Sequence, residues 1–255
     1  MKVKKITIIR KKPLFYMLVL SIMLSSCNVL YRPSNINTPM LTQQGETQFS
    51  AYIDHNLNLD VQTAFALTDN IGVIGNATLN NALIVDHYDV EFFVRPATFH
   101  LTPLMYQGEL GIGYFTNIFG DKNFEIYGGA GMGNIPEYQD PFEALYSDDD
   151  NYLIENHTGV IYKYFIQSAI GNSVEFGKFH VERNLALRLS SVSIFDDRKY
   201  YVEPVLNFKF GEKLVRFTTS VGLSYPVYEV NQNSWKHVPL FYGLGVQLAL
   251  DRLYE

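Results

Sequence analysis

Val215-Arg216-Phe217-Thr218-Thr219-Ser220-Val221-Gly222-Leu223-Ser224-Tyr225 alternates without a break. Val215, Phe217, Thr219, Val221, Leu223 and Tyr225 share one face, while Arg216, Thr218, Ser220, Gly222 and Ser224 share the other. A period of two is the mark of a strand with one apolar side. The same pattern recurs upstream. In Val61 to Thr68, Val61, Thr63, Phe65 and Leu67 oppose Gln62, Ala64, Ala66 and Thr68; in Gln107 to Phe115, Gly108, Leu110, Ile112 and Tyr114 oppose Gln107, Glu109, Gly111 and Gly113. Further strands are expected near 46 to 55, 71 to 80, 123 to 133, 159 to 171, 180 to 194, 202 to 210 and 240 to 250, which makes ten. No stretch offers a convincing amphipathic helix.

Alternation alone leaves the sign of the faces open. A lipocalin-like barrel puts its apolar set inside, and an outer-membrane barrel puts it outside. The composition of the polar face favours the second arrangement. A face toward bulk water would be rich in long charged residues, whereas this one is mostly Gly, Ala, Ser, Thr and Gln, which suit a crowded lumen. Its sparse charges nearly cancel: Glu109, Glu125, Glu182 and Glu203 against Lys163, Arg188, Lys209 and Arg216, with Asp54 at a strand end. Paired charges can satisfy one another in confinement, where a lone one is costly.

Connection lengths give an independent test, because membrane barrels alternate short periplasmic turns with longer extracellular loops. The expected turns are Asp69-Asn70, Asn117 to Lys122, Asn172 to Lys178 and Gly211 to Lys213. The connections at the other end are 55 to 58, 81 to 104, 134 to 158, 195 to 201 and 226 to 239, so the three longest fall on one side. Outward Tyr114 and Phe124 near one rim, with Tyr162, Tyr164, Tyr225 and Tyr242 near the other, read as two aromatic girdles. The expected fold is an all-β, closed, antiparallel up-and-down transmembrane β-barrel of about ten strands. Eight and twelve are the alternatives, since 88 to 95 reads either as an added strand or as a loop hairpin.

The first 12 residues carry six cations (Lys2, Lys4, Lys5, Arg10, Lys11, Lys12), and an apolar run from Pro13 to Leu24 follows. That run is too short to span about 30 Å of hydrocarbon but suits a signal peptide. Cys27 comes directly after Leu24-Ser25-Ser26, an arrangement that resembles a bacterial lipoprotein signal, in which the cysteine becomes the acylated N-terminus. The expected organisation is a signal peptide over 1–26, a periplasmic lead-in over 27–45 and a barrel domain over 46–255. An even strand count then puts both termini of the mature chain on the periplasmic side. Many surface-exposed lipoproteins of the kind this signal resembles carry an acidic run after the cysteine; Asn28-Val29-Leu30-Tyr31 lacks one, so the resemblance implies the periplasmic leaflet for the anchor.

Of 255 residues, 47% are apolar and only 18% charged, against about 25% charged in a typical soluble domain. Without the six leader cations, 14 basic residues face 26 acidic ones, a net charge of −12. Nucleic-acid binding needs clustered Lys and Arg and is set aside. One cysteine excludes an internal disulfide and a cysteine-based zinc site.

Cys27, the lead-in Tyr31-Arg32-Pro33 through Asn37-Thr38-Pro39 to Gly45-Glu46, and the strand text Gln62 to Gly72 together resemble small outer-membrane β-barrel lipoproteins of Bacteroidota. The likeness continues through Glu109 to Tyr114, Tyr164 to Gln167 and Leu187 to Ser190. It implies a location and carries no activity. The last strand, Gly245 to Leu250, is similar to the signal that barrel assembly machinery reads, although the chain ends on Leu253-Tyr254-Glu255 instead of an aromatic residue.

No enzyme is expected, an outer-membrane hydrolase being the minor alternative. His55, His87, His100, His157 and His237 fall in connections, yet none shares a metal-ligand spacing with another. Ser147-Asp148-Asp149-Asp150-Asn151 lacks the glycine and terminal Glu of a calcium loop. No metal or cofactor is expected beyond a covalent lipid, such as palmitate, on Cys27. The glycines Gly111, Gly113, Gly129, Gly131, Gly133, Gly243 and Gly245 lie in strands, where they let the wall bend and leave room inside. The lumen charges form either a selectivity ring or a salt-bridged plug, and barrels of this size favour the plug. The function expected is surface contact, adhesion or envelope integrity through the long loops, with membrane lipids, assembly machinery and an unidentified extracellular ligand as partners. The alternatives are a narrow solute channel and a periplasmic lipid-binding, lipocalin-like barrel.

Overall fold

The computed structural model describes residues 31, 33–54, 58–80, 105–118, 120, 122–136, 158–194, 197–229 and 239–250. Eleven strand segments are present: β1 (Thr47–Asp54), β2 (Leu59–Ala66), β3 (Ile71–Asn80), β4 (Met105–Ile118), β5 (Lys122–Pro136), β6 (Thr158–Phe176), β7 (Phe179–Ile194), β8 (Asp197–Glu212), β9 (Val215–Leu223), β10 (Tyr225–Glu229) and β11 (Leu240–Ala249). Each pairs antiparallel with its sequence neighbour from β1 to β9. β11 then joins β9 on one side and β1 on the other, which closes the sheet.

Segments β9 and β10 are one stave, broken at Ser224. β10 continues along β8, with a register irregularity between Pro226 and Tyr228 where proline has no N–H to give the ladder. The result is a closed ten-stranded antiparallel barrel, as the alternation predicts, in which this stave extends through Glu229 into a stretch expected to be loop. The segment 88 to 95 lies outside the described residues.

Closure pairs the first strand with the last, so that only overhangs such as β10, which pairs with β8 alone, keep a free edge. It also fixes which face is which. Leu110 is 75% exposed, Leu206 63% and Leu244 64%, while Glu125 and Lys163 are 1% exposed and Arg188 is 0%. The apolar set therefore points outward, the reverse of a lipocalin-like barrel. Tyr162, Tyr164, Tyr225, Tyr228 and Tyr242 are exposed at the end bearing the long connections, and Tyr114, Phe176 and Phe179 at the opposite end. There β6 turns into β7 in two residues, Gly177 and Lys178, between the paired Phe176 and Phe179. Gly177 has φ +64°, a conformation tight hairpins require and glycine adopts without a Cβ clash.

The lead-in departs from expectation. Instead of lying outside the barrel, Tyr31 and residues 33 to 41 run down its axis, with Tyr31, Ile36, Met40 and Leu41 all buried. Tyr31 sits at the end of the long connections, packed with Met105, Ile161, Val192, Ile194 and Tyr201. Ile36 and Met40 pack against Ala169, Ala186, Val205 and Phe241, and Leu41 reaches Ala66 and Phe115 near the short turns. Gly45 leaves the lumen at φ +85° and hands the chain to β1. Tyr31 thus lies at the opposite end of the barrel from Ala249. Burying Ile36, Met40 and Leu41 contributes about 1.5–3 kcal/mol each as an upper estimate, so the lumen is a better environment for this segment than water.

Candidate functional site

All eight charged residues expected in the lumen point inward, and the plug sorts them into two groups. In the upper group, toward the long connections, Glu109 lies 2.8 Å from Lys163 Nζ and 3.1 Å from Arg188 Nη1. Its carboxylate also accepts hydrogen bonds from Ser34 Oγ, Asn76 Nδ2 and Gln107 Nε2. Arg188 gives a forked pair of bonds, from Nε and Nη2, to Gln167 Oε1 at 3.0 and 2.6 Å. Its guanidinium lies 4.5 Å from the centre of the Phe165 ring, where the face of the π-system attracts a cation. Phe165 fits because Gly129 lies beside it: a Cβ there would stand 2.5 Å from the ring. Glu203 accepts from Tyr31 Oη, Ser190 Oγ and Ser224 Oγ.

In the lower group Glu182 pairs with Lys209 at 2.8 Å and with Arg216 at 3.6 Å, and His180 Nε2 lies 3.9 Å from it. Glu182 and Lys209 are direct cross-strand partners, so their pairing follows from the register of β7 and β8. Glu125 accepts from the Met40 backbone N–H, and its other oxygen has no hydrogen-bond partner among the described residues.

Between the groups, the plug makes the bonds that the wall leaves open. The Asn35 N–H and amide both donate to Asp60 Oδ2, its amide oxygen accepts from Ser220 Oγ at 2.6 Å, and its carbonyl accepts from Gln62 Nε2. Asn37 donates to Asn76 and to the Thr63 carbonyl, and its own carbonyl accepts from Gln167. The Thr38 carbonyl accepts from Lys209 Nζ at 2.7 Å, and its hydroxyl accepts from Asn207. Met40 is held at φ 54°, uncommon for a side chain with a Cβ, between its bond to Glu125 and one that its carbonyl accepts from Asn123. Such strain persists where the surroundings over-determine it.

Sequence reasoning found the charges and missed what lies between them. Tyr31, Asn35, Asn37 and Thr38 read as part of the periplasmic lead-in, and Asp60, Asn76, Gln167 and Lys199 also belong to the buried lining. The amide-rich run Asn35-Ile36-Asn37-Thr38 was the available signal, since amides offer both donors and acceptors to a mixed-charge wall. Cys27, His55, His87, His100, His157, His237 and the 147 to 151 acidic stretch lie outside the described residues.

At the short-turn mouth the wall leaves a small polar hollow of about 150 Å³ among Thr42, Glu46, His180, Glu182 and Arg216. The plug fills the axis above it.

No family model matches the chain, and no curated protein matches it. Among solved structures it is similar to a KdgM porin, at 8% identity and a TM-score of 0.33, over 80% of this chain and 98% of that one. Similarity this distant carries no function across.

Proposed function

We propose that this chain is a lipid-anchored outer-membrane β-barrel that does not conduct or catalyse, and that it acts through the long connections above a sealed lumen. The observation that carries this reading is the inversion of faces. A belt of exposed Leu, Ile, Val, Phe and Tyr surrounds a buried, charge-paired interior. In water such a belt would be an aggregation surface; in hydrocarbon it is the solvated face, and closure of β1 on β11 lets the spanning strands pair their backbone groups with one another.

The lumen supports a closed barrel over a channel, since Tyr31, Asn35, Asn37, Thr38 and Met40 bond to the walls along its length. The anchor at Cys27 rests on the order of cationic region, apolar run and Leu-Ser-Ser-Cys, and on the resemblance to Bacteroidota barrel lipoproteins. Loop contact, adhesion or envelope integrity then falls to 81–104, 137–157 and 230–238.

Cell fractionation with palmitate labelling tests the location. The protein is expected in carbonate-washed outer membranes, labelled unless Cys27 is changed to Ser. Recovery without detergent would overturn the reading. In planar bilayers the purified chain should give no stepwise conductance, and regular steps would replace the sealed barrel with a channel.

A further inference from the structure

We infer that the chain threads its own barrel, so that the residue before the plug emerges on the cell surface and the anchor sits in the outer leaflet. The inference rests on the outer-membrane reading above and reverses the leaflet that the sequence suggests.

Direction is the first observation. Tyr31 bonds Glu203 and packs on Tyr201, Met105 and Ile194, which all lie toward the end of the barrel that bears the long connections. Eleven residues later Thr42 bonds Glu46, and Gln44 bonds Asp69 and the Leu67 carbonyl at the short-turn rim. Long connections are extracellular and short turns periplasmic in outer-membrane barrels. The plug therefore runs from outside to inside.

Reach decides the leaflet. Cys27 precedes Tyr31 by four residues, which fully extended cover at most about 14 Å. The hydrocarbon core is about 30 Å thick. An acyl chain on Cys27 cannot return to the periplasmic leaflet while Tyr31 stays in its place.

The seam shows how such threading is compatible with assembly. A filled lumen leaves no passage for an acylated end, so the plug must be laid in before the first and last strands meet. That seam is short, running only from Gln48 opposite Ala249 to Asp54 opposite Gly243. Asn35 clasps it from within, bonded to Asp60 on β2 and Ser220 on β9. It also lies so close to Gly243 on β11 that a Cβ there would stand 2.7 Å from its amide nitrogen. Tied to the outer leaflet at one end and to β1 at the other, the plug cannot be drawn out either way.

Two measurements on the full-length chain test this. The first uses an epitope inserted after Asn28, with a second variant carrying it after Lys213 in the β8–β9 turn. Antibody should bind the first equally in intact and permeabilised cells, and bind the second only after permeabilisation. Loss of the Asn28 signal in intact cells would overturn the inference, whichever way the Lys213 epitope behaves. The second pairs Thr38→Cys with Asn207→Cys, whose native side chains touch at 3.1 Å. The detergent-purified protein should form an internal disulfide visible as a reducible gel shift, and absence of the shift would overturn the threaded plug. A chain that fails to float with outer membranes refutes the membrane reading instead, while leaving the disulfide result to judge the plug.

Discussion

Glu109→Gln is the sharpest test of the lumen, because one carboxylate holds two cations there. The ion pairs at 2.8 and 3.1 Å are each worth about 5 to 6 kcal/mol of gross attraction at an effective dielectric of about 20. Desolvation of the three groups offsets most of that. What the substitution exposes is the pair left behind: Lys163 and Arg188, 1% and 0% exposed, would both lose the carboxylate that they share. Removing one partner of a buried pair costs about 3 to 5 kcal/mol.

Arg188 keeps its fork to Gln167 and its contact with Phe165, so Lys163 bears most of the loss. Removing its charge as well should restore the balance. Glu109→Gln with Lys163→Met is expected to be about 2 kcal/mol less damaging than the sum of the single changes, within the coupling range for contacting residues. The assay is urea unfolding of the refolded barrel in detergent or lipid, followed by the mobility difference between folded and unfolded bands. A Glu109→Gln cost below about 1 kcal/mol, or strict additivity of the pair, would refute a buried network in which charge balance sets the cost.

The remaining predictions concern the walls and the plug. Val221, half exposed on the outer face, should lose about 2 to 4 kcal/mol on Val221→Arg near the bilayer midplane; a spin label there in a Cys27→Ser background should be relaxed by oxygen more than by a water-soluble nickel complex, and the reverse would put that face in water. Ser220→Ala removes the hydroxyl that Asn35 accepts from, so it should cost about 1 to 3 kcal/mol in the same unfolding assay instead of being silent. Gly243→Val pushes a side chain into Asn35 and should shift the folded band to lower thermal stability, while the Asn35→Gly, Gly243→Val pair recovers part of the loss. Met40→Gly relaxes a backbone held at φ 54° but removes a buried side chain; because truncating a core Met costs about 2 to 5 kcal/mol and the strain returns only about 1, net destabilisation is expected by thermal melting.

The strands and the sign of their faces were legible in the sequence because both are local properties. Val215 to Tyr225 alternates whether or not the barrel closes, and Ser, Thr and Gly on the polar side already mark an interior too narrow for solvated charge. Glu182 and Lys209 could be matched from strand register, being neighbours across one ladder. Glu109, Lys163 and Arg188 could be placed on the inner face but not joined, since Arg188 reaches Glu109 across strands 79 positions apart in sequence. The plug was the least visible part. Asn35-Ile36-Asn37-Thr38 has the composition of a polar linker, and nothing within it says that Asp60, Asn76, Gln167, Asn207, Lys209 and Ser220 will surround it. Those partners exist only once β1 meets β11, because closure is what removes water from the wall and leaves its amides and charges in need of the backbone that fills the lumen.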